Sequence, residues 1–238
     1  KECNRFQESI RGSMKTVIIS GGRIERDFAL SFLKQEAFDQ IIAVDNGLKF
    51  LYENGIKPTW IVGDFDTAAP ELVAYYRTKT EIPIRQFNPV KDATDSQIAI
   101  ELALELGSGE ITILGGTGTR LDHVLGNIQS LMLAKKKGVS CVILDEYNRI
   151  RLVDGTFKLK KEKQYGRYVS LLPLTTEVTG VELTGVKYPL SDYTFTSTGS
   201  AGLGVSNEIT AETAEICVKS GVFILIESSD QPKKFEIL

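Results

Sequence analysis

The stretch EITILGGTGTRLDHVLGNIQSLMLAKKKGVSCVILDE, residues 110–146, decides the fold. It opens on a near-continuous apolar run, EITILGG (110–116), and closes on another, SCVILDE (140–146). Strands buried on both faces have this composition, because neither face is left to carry an alternating polar set. Between the two runs the spacing predicts a helix over about residues 120–137, ending in three lysines and Gly138. Cations in a last turn complement the open carbonyls, and a glycine just beyond can take the positive φ that ends a helix. Strand, glycine-rich turn, helix and strand make up the repeating unit of a parallel sheet covered by helices.

Toward the N-terminus the same alternation recurs. TVIIS (16–20), IIAVD (41–45), WIVGD (60–64) and PIRQF (83–87) are further apolar-centred runs, each separated from the next by a helical pattern. The clearest of these helices opens at Lys91-Asp92-Ala93-Thr94-Asp95. Thr94 and Gln97 have capping-box spacing, Ile98, Leu102 and Leu106 form an apolar stripe, and Gly107 stops the helix. After about Tyr147 the helical spacing disappears. RIRLVDG, TFKLKK, YVSLLPLT, VTGVELTGV, YTFTS, AEICVK and VFILIES follow at hairpin-like intervals marked by Gly, Asp, Pro and Ser. The expected fold class is therefore α/β plus all-β. A Rossmann-like parallel sheet with helices on both faces is expected over residues 15–146, and a small C-terminal β-sandwich over 147–238. Residues 1–14 are set apart as a disordered leader, since KECNRFQESIRGS is polar and precedes Met14.

Composition narrows the function. A chain of 238 residues with 42% hydrophobic content can bury a substantial core, which excludes a disordered or fibrous protein. Net charge is −3, from 28 basic and 31 acidic residues, and the cations form no stripe interleaved with aromatics, so nucleic acid is not an expected partner. No apolar run approaches the roughly 20 residues of a membrane span. Cys3, Cys141 and Cys217 are odd in number and widely scattered, as suits free thiols in a reducing, cytoplasmic setting.

Chemistry enters where acids sit at the ends of the expected strands. Asp45 closes the second strand, Asp64 and Asp66 the third, and Asp92 and Asp95 introduce the helix after the fourth. In an open parallel sheet the carboxyl ends of the strands form the ligand crevice. Asp64 and Asp66 leave an extended segment on one face, and Asp92 and Asp95 are neighbours at a helix start. One Asp at a helix N-terminus is ordinarily a cap. Five converging carboxylates would raise one another's pKa unless compensated, and a hard divalent cation, Mg²⁺ or Ca²⁺, is the simplest compensation, against the alternative of a solvated acidic edge.

In LGGTGTRLDHVLGN, residues 114–127, Gly115, Gly116 and Gly118 could bring backbone N–H groups close to a phosphate that Arg120 grips with its fork, or could serve only as a tight turn. It is neither a Walker loop nor the GxGxxG fingerprint, since no GKS or GKT follows and Leu121 stands at the third glycine. His123, the one histidine, reads first as a structural hydrogen-bonder beside Asp122, with catalysis as the alternative.

Taken in order, Gly21-Gly22, AVDNG, GDFDT, KDATD, LGGTGTRLDHVLGN and GVSNE (204–208) resemble bacterial thiamine pyrophosphokinases over essentially all of residues 15–230. Thr67 stands where the family usually has Ser, Asn46 where Gly is common, and Thr119 where Gly often precedes the arginine. The resemblance implies an enzyme that moves the terminal diphosphate of ATP to thiamine with Mg²⁺. It implies that Asp64, Asp66 and Asp95 are the metal ligands, with Asp92 and Thr94 positioning the same cluster. Asp45 and Asn46 would lie near the nucleotide, and Gly116, Arg120, Asp122 and His123 would contact ATP. Ser206 and Asn207 match the thiamine-binding segment, and a homodimer with shared active sites is implied. The proton acceptor stays open between Asp92 and Asp95. No Trp stands at the ring-stacking position of the animal enzymes, for which Phe223 is the candidate substitute. A different Mg²⁺-dependent phosphoryl enzyme and a noncatalytic nucleotide or thiamine sensor are the competing classes.

Overall fold

The computed structural model describes residues 14–65, 70–86, 94–118 and 120–235, so Asp66, Asp92 and Thr119 lie outside the described residues. The chain forms two compact units, Lys1–Ile24 with Ala29–Cys141, and Glu25–Phe28 with Val142–Leu238.

In the first unit the elements run β1 (Met14–Ile19), α1 (Arg26–Gln35), β2 (Gln40–Val44), α2 (Gly47–Glu53), β3 (Trp60–Gly63), α3 (Pro70–Lys79), β4 (Ile84–Gln86), α4 (Asp95–Glu105), β5 (Ser108–Leu114) and α5 (Leu121–Lys136). The strands pair in parallel in the order β5-β1-β2-β3-β4, with Val17 opposite both Ile41 and Thr112. Consecutive residues are sealed from solvent, Val17 to Ile19 in β1 and Ile61 with Val62 in β3, as a sheet covered on both faces requires. The chain steps outward from β1 to β4 and then returns to the other side of β1. With right-handed crossovers, that reversal puts α4 on the face opposite α1 to α3. It also creates a switch point between the carboxyl ends of β1 and β5, where ligands bind in open sheets.

PIRQF was expected to be apolar at its centre, but β4 is a three-residue edge strand. Arg85 bonds Glu105 at 2.6 Å and Gln86 accepts from Arg77 at 2.5 Å. An edge strand has one free side, so polar residues there meet water. At α4, Thr94 Oγ1 accepts from the Gln97 N–H at 3.3 Å, but the Gln97 side chain bonds Glu101 and only half of the capping box forms. The buried face of this helix runs through Ala99, Ile100 and Ala103, with Leu102, whereas Ile98 and Leu106 are half-buried. The helix packs against both the sheet and α5, so its covered arc is rotated and widened relative to a single stripe. Gly107 and Gly138 take φ of 87° and 70° after α4 and α5.

Apart from the first residues of α1, a 3-10 turn at Lys161–Lys163 and one short helix, the second unit is all-β. It comprises the larger part of β6 (Ser140–Leu144), then β7 (Asn148–Val153), β8 (Thr156–Lys160), β9 (Tyr168–Pro173), β10 (Glu177–Thr184), β11 (Leu190–Thr196), α6 (Ala201–Gly204), β12 (Asn207–Glu208), β13 (Thr213–Cys217) and β14 (Phe223–Ser228). One antiparallel layer runs β12-β9-β14-β7-β6 and the other β11-β10-β13-β8. Their inner faces share one core, in which Phe195 stacks edge-on against Phe223 at 5.1 Å and Tyr193 at 5.0 Å. This is the expected sandwich. At one end of its inward row sits Glu227, fully buried. It accepts from Arg149 at 2.6 and 2.8 Å, from Arg151 at 2.6 Å and from the Tyr165 N–H at 2.9 Å. Burial works against its charge, but these partners outweigh burial and hold the carboxyl below the usual range.

Candidate functional site

The site begins where β2 ends. Asp45 takes φ 44°, and its N–H bonds the Val62 carbonyl at 3.2 Å as the chain turns into α2. That turn sends the carboxyl across the end of β3, where a Cβ on Gly63 would lie 2.3 Å from Asp45 Oδ1. Glycine at 63 is thus needed to leave room for the acid.

Asp45 is buried, and its Oδ1 has no hydrogen-bond partner. Its carboxyl shares a hydrogen bond with Asp95 and feels the charge of Asp64. Burial first, and then these two acids, push its pKa up to about 8, with the Phe65 N–H pulling the other way. Phe65 holds φ 63°, unusual for a bulky residue, with the Arg77 guanidinium 5.9 Å from its ring centroid. Sequence reading passed over Phe65, Gly63 and Arg77, because nothing in a lone Phe between two acids announces a left-handed backbone.

A buried oxygen without a donor, beside two further carboxyls, is a donor set suited to a hard divalent cation. Among the described residues no group of three His, Cys, Asp or Glu reaches metal-binding spacing. Asp66 and Asp92, the other two expected acids, lie outside the described residues.

Opposite the acids, two glycine turns interlock at the switch point. Ser20 N–H bonds the Leu114 carbonyl at 2.8 Å and Gly22 N–H bonds Gly115 at 3.1 Å. A Cβ on Gly22 would fall 2.4 Å from the Gly115 carbonyl oxygen, so only glycine permits this approach. Buried Asn127 on α5 donates to the Gly116 carbonyl at 2.8 Å and ties the turn to the helix.

Arg120, at the N-cap of α5, extends to Asp122 through Nη2–Oδ2 at 2.5 Å and Nε–Oδ1 at 3.2 Å, both side chains being exposed. The hydrogen bond from Arg120 holds the Asp122 carboxyl below its ordinary range. Asn46 sits at the N-cap of α2 without capping it, which leaves its carboxamide available. His123 is exposed, and its imidazole makes no hydrogen bond among the described residues, so the structural reading of this histidine is corrected. It sits in the first turn of α5, lines one pocket with Asp122 and interacts electrostatically with that carboxylate.

One pocket of about 660 Å³ brings together Asp45, Asn46, Asp64, Thr94, Asp95, Gly116, Arg120, Asp122 and His123. Ser206 and Asn207 belong to the second unit. Asn207 is buried, with its carboxamide paired to both backbone groups of Tyr188 at 3.1 and 2.9 Å. That pairing fixes the loop and presents Ser206, which is exposed at φ 58°. Phe223 cannot stack on a ligand ring, because it is fully buried in the sandwich core.

An open parallel sheet with paired glycine turns at its switch point and acids on the facing lip defines a phosphate-binding α/β protein. The profile described as thiamin pyrophosphokinase, catalytic domain, matches residues 33–143, and that described as thiamin pyrophosphokinase, vitamin B1 binding domain, matches 155–223. Thiamine pyrophosphokinase of Bacillus subtilis is 34% identical over 190 residues, covering 79% of this chain and 87% of that protein. The solved structure of thiamine pyrophosphokinase from Bacillus subtilis aligns with a TM-score of 0.78 at 31% identity, over 91% of this chain and 99% of that one. The enzyme from Geobacillus thermodenitrificans aligns with a TM-score of 0.78 at 28% identity, over 91% and 98%. The chain belongs to the thiamine pyrophosphokinase family.

The Asp45 environment has a signed consequence for stability. Between its ordinary value of 3.8 and about 8, Asp45 keeps its proton in the folded chain and loses it in the unfolded one. The folded state holds the extra proton, so stability falls as pH rises through that window and levels off above it. Thermal melting in chelator should show this fall, and Asp45→Asn should flatten it. An unchanged profile in the variant would contradict the assignment.

Proposed function

We propose that the chain transfers the terminal diphosphate of ATP to the hydroxyethyl group of thiamine, giving thiamine diphosphate and AMP in a Mg²⁺-dependent reaction. The observation that carries this reading is the single pocket in which a close carboxyl pair, Asp45 and Asp95, faces two interlocked glycine turns. In this reading Asp64, Asp66 and Asp95 hold Mg²⁺, Asp45 completes the acidic lip, and Asp92 and Thr94 position the phosphates. Bound there, the ion would supply charge neutralisation on the phosphate oxygens.

The remaining chemistry belongs to the chain. The turns at Gly22 and Gly116 let the triphosphate approach the backbone, and Asn46 and His123 offer polar groups to the nucleotide. The Arg120 fork, resting on Asp122, exchanges that carboxylate for phosphate oxygens and takes up charge on the transferred group and on departing AMP. The thiamine oxygen forms its bond to the β-phosphorus as the bond to the AMP oxygen breaks, and Asp92 or Asp95 accepts the hydroxyl proton.

Thiamine would be received by the Ser206 loop of a twofold partner. Exposed apolar side chains accompany both halves of the chemistry. Leu121 (72% exposed) and Leu125 (60%) flank Asp122 and His123 on α5, while Tyr188 (57%), Leu203 (52%) and Val205 (44%) surround Ser206. Exposed apolar patches beside both halves, which a closed twofold axis would bury against each other twice, support a homodimer with shared sites. The free thiols Cys141 and Cys217 support a cytoplasmic location, and no described helix is long and apolar enough to cross a membrane.

AMP measured together with thiamine diphosphate tests the reaction, and the two should appear in equal amounts. A hydrolase would release phosphate without thiamine diphosphate, and a sensor would release nothing. Asp64→Asn should remove most turnover, and Arg120→Lys should lower kcat roughly 10²- to 10³-fold, because lysine keeps the charge and loses the fork. Near wild-type rates in both variants would reject these roles.

Subunit mixing tests the shared site. Asp64→Asn and Ser206→Tyr, each inactive alone, should together recover about a quarter of wild-type activity after random exchange, since half the dimers are mixed and each holds one intact site. Activity staying at the unmixed level despite confirmed exchange would show that each site is built within one chain.

A further inference from the structure

At the opposite end of the parallel sheet from the phosphate pocket, the segments leading into β3 and β4 line a second, open cleft of about 800 Å³. α2 and α3 end beside it, and Gly55 at φ 65° turns the chain back toward β3. Three tyrosines meet on its wall. The Tyr52 and Tyr75 centroids are 5.5 Å apart at 68°, and those of Tyr75 and Tyr76 are 5.3 Å apart at 85°. Tyr76 is buried and acts as the base on which the other two rest, yet Tyr52 and Tyr75 stay 51% and 43% exposed. Their hydroxyls have no hydrogen-bond partner among the described residues.

A single exposed tyrosine on a helix is ordinary. Two that share an edge-to-face cluster over one cleft form a ready surface for a third ring. The charge of the lining adds an independent constraint. Lys57 and Lys79 both line the cleft and have no ion-pair partner among the described residues, whereas Glu81 is the single acid in the lining. Tyrosine rings alone would attract a cation, but two unpaired ammonium groups repel one and draw an anion.

We propose that this cleft binds a small planar aromatic anion, its ring against Tyr52 and Tyr75 and its phosphate or carboxylate held by Lys57 and Lys79. The site is separate from the phosphate pocket, and the inference does not rest on the function proposed above.

Amide NMR of the full chain, titrated with AMP in one arm and indole-3-acetate in the other, tests it and distinguishes a nucleotide from an aromatic carboxylate. Saturable shifts are expected at Gly55, Ile56, Lys57, Thr78, Lys79 and Ile82 with at least one probe. With AMP they should be distinguishable from any shifts at Gly22 and Gly116. Tyr52→Ser with Tyr75→Ser should weaken binding roughly threefold to tenfold, and Lys57→Ser with Lys79→Ser should make the charged probe bind no better than adenosine or indole. Both pairs of substitutions fall on exposed side chains, and unchanged shifts at Val17 and Ile61 would verify the fold. Absence of shifts in this cleft with both probes, or equal binding of the neutral analogues to the unaltered chain, would overturn the proposal. So would preferential binding of tetramethylammonium.

Discussion

Like charge gathered in a place with little water is the constraint from which the site follows. Asp45 is buried with one oxygen unbonded and a second carboxyl, that of Asp95, at hydrogen-bonding range. Two ionised carboxylates cannot sit that way without a counter-charge, so one holds a proton or a cation takes its place. The surrounding backbone is bent to maintain the arrangement. Asp45 and Phe65 both take positive φ, and Gly63 lacks the Cβ that would strike the Asp45 carboxyl. Strain of this kind persists only where neighbouring structure over-determines it, and it accumulates at functional sites.

Topology explains why this cluster faces the glycine turns. Reversal of strand order between β1 and β5 leaves a gap at their carboxyl ends, and the loops leaving β1, β2, β3 and β5 all open on the same edge. Gly22 and Gly115 come close enough to exclude any side chain, and Asn127 anchors the second turn from α5. A close-packed pair of glycine turns and an acidic lip are therefore consequences of one winding pattern. The same sheet has a second end, where α2 and α3 stop and the tyrosine cleft forms, so the fold opens two separate clefts.

Local signals in the sequence carried much of this. Apolar runs bounded by Gly and Asp located the parallel strands, Thr94 and Gly107 marked the ends of α4, and hairpin-like intervals between Gly, Asp, Pro and Ser found the seven main strands of the sandwich. Pairings across long separations carried no local mark. The Asp45–Asp95 contact joins residues 50 positions apart in the numbering, and Glu227 meets Arg149 and Arg151 across 78 and 76. β12 has only two residues, too few to show a period, and PIRQF reads as apolar although its central Arg85 points to an ion pair. Phe223 and His123 show the same limit in opposite directions. Composition could not tell that the aromatic is sealed in a core, or that the histidine is left exposed beside the pocket.

Titration calorimetry of Mg²⁺ into the nucleotide-free protein, repeated in buffers of different ionisation heat, tests the acidic cluster most directly by counting protons released as the ion binds. With the Asp45 pKa at about 8, binding at pH 7 should release close to one proton per site, and at pH 9 almost none, because the carboxylate is already ionised. Tight binding with no proton release at pH 7, or no binding at either pH, would contradict the account.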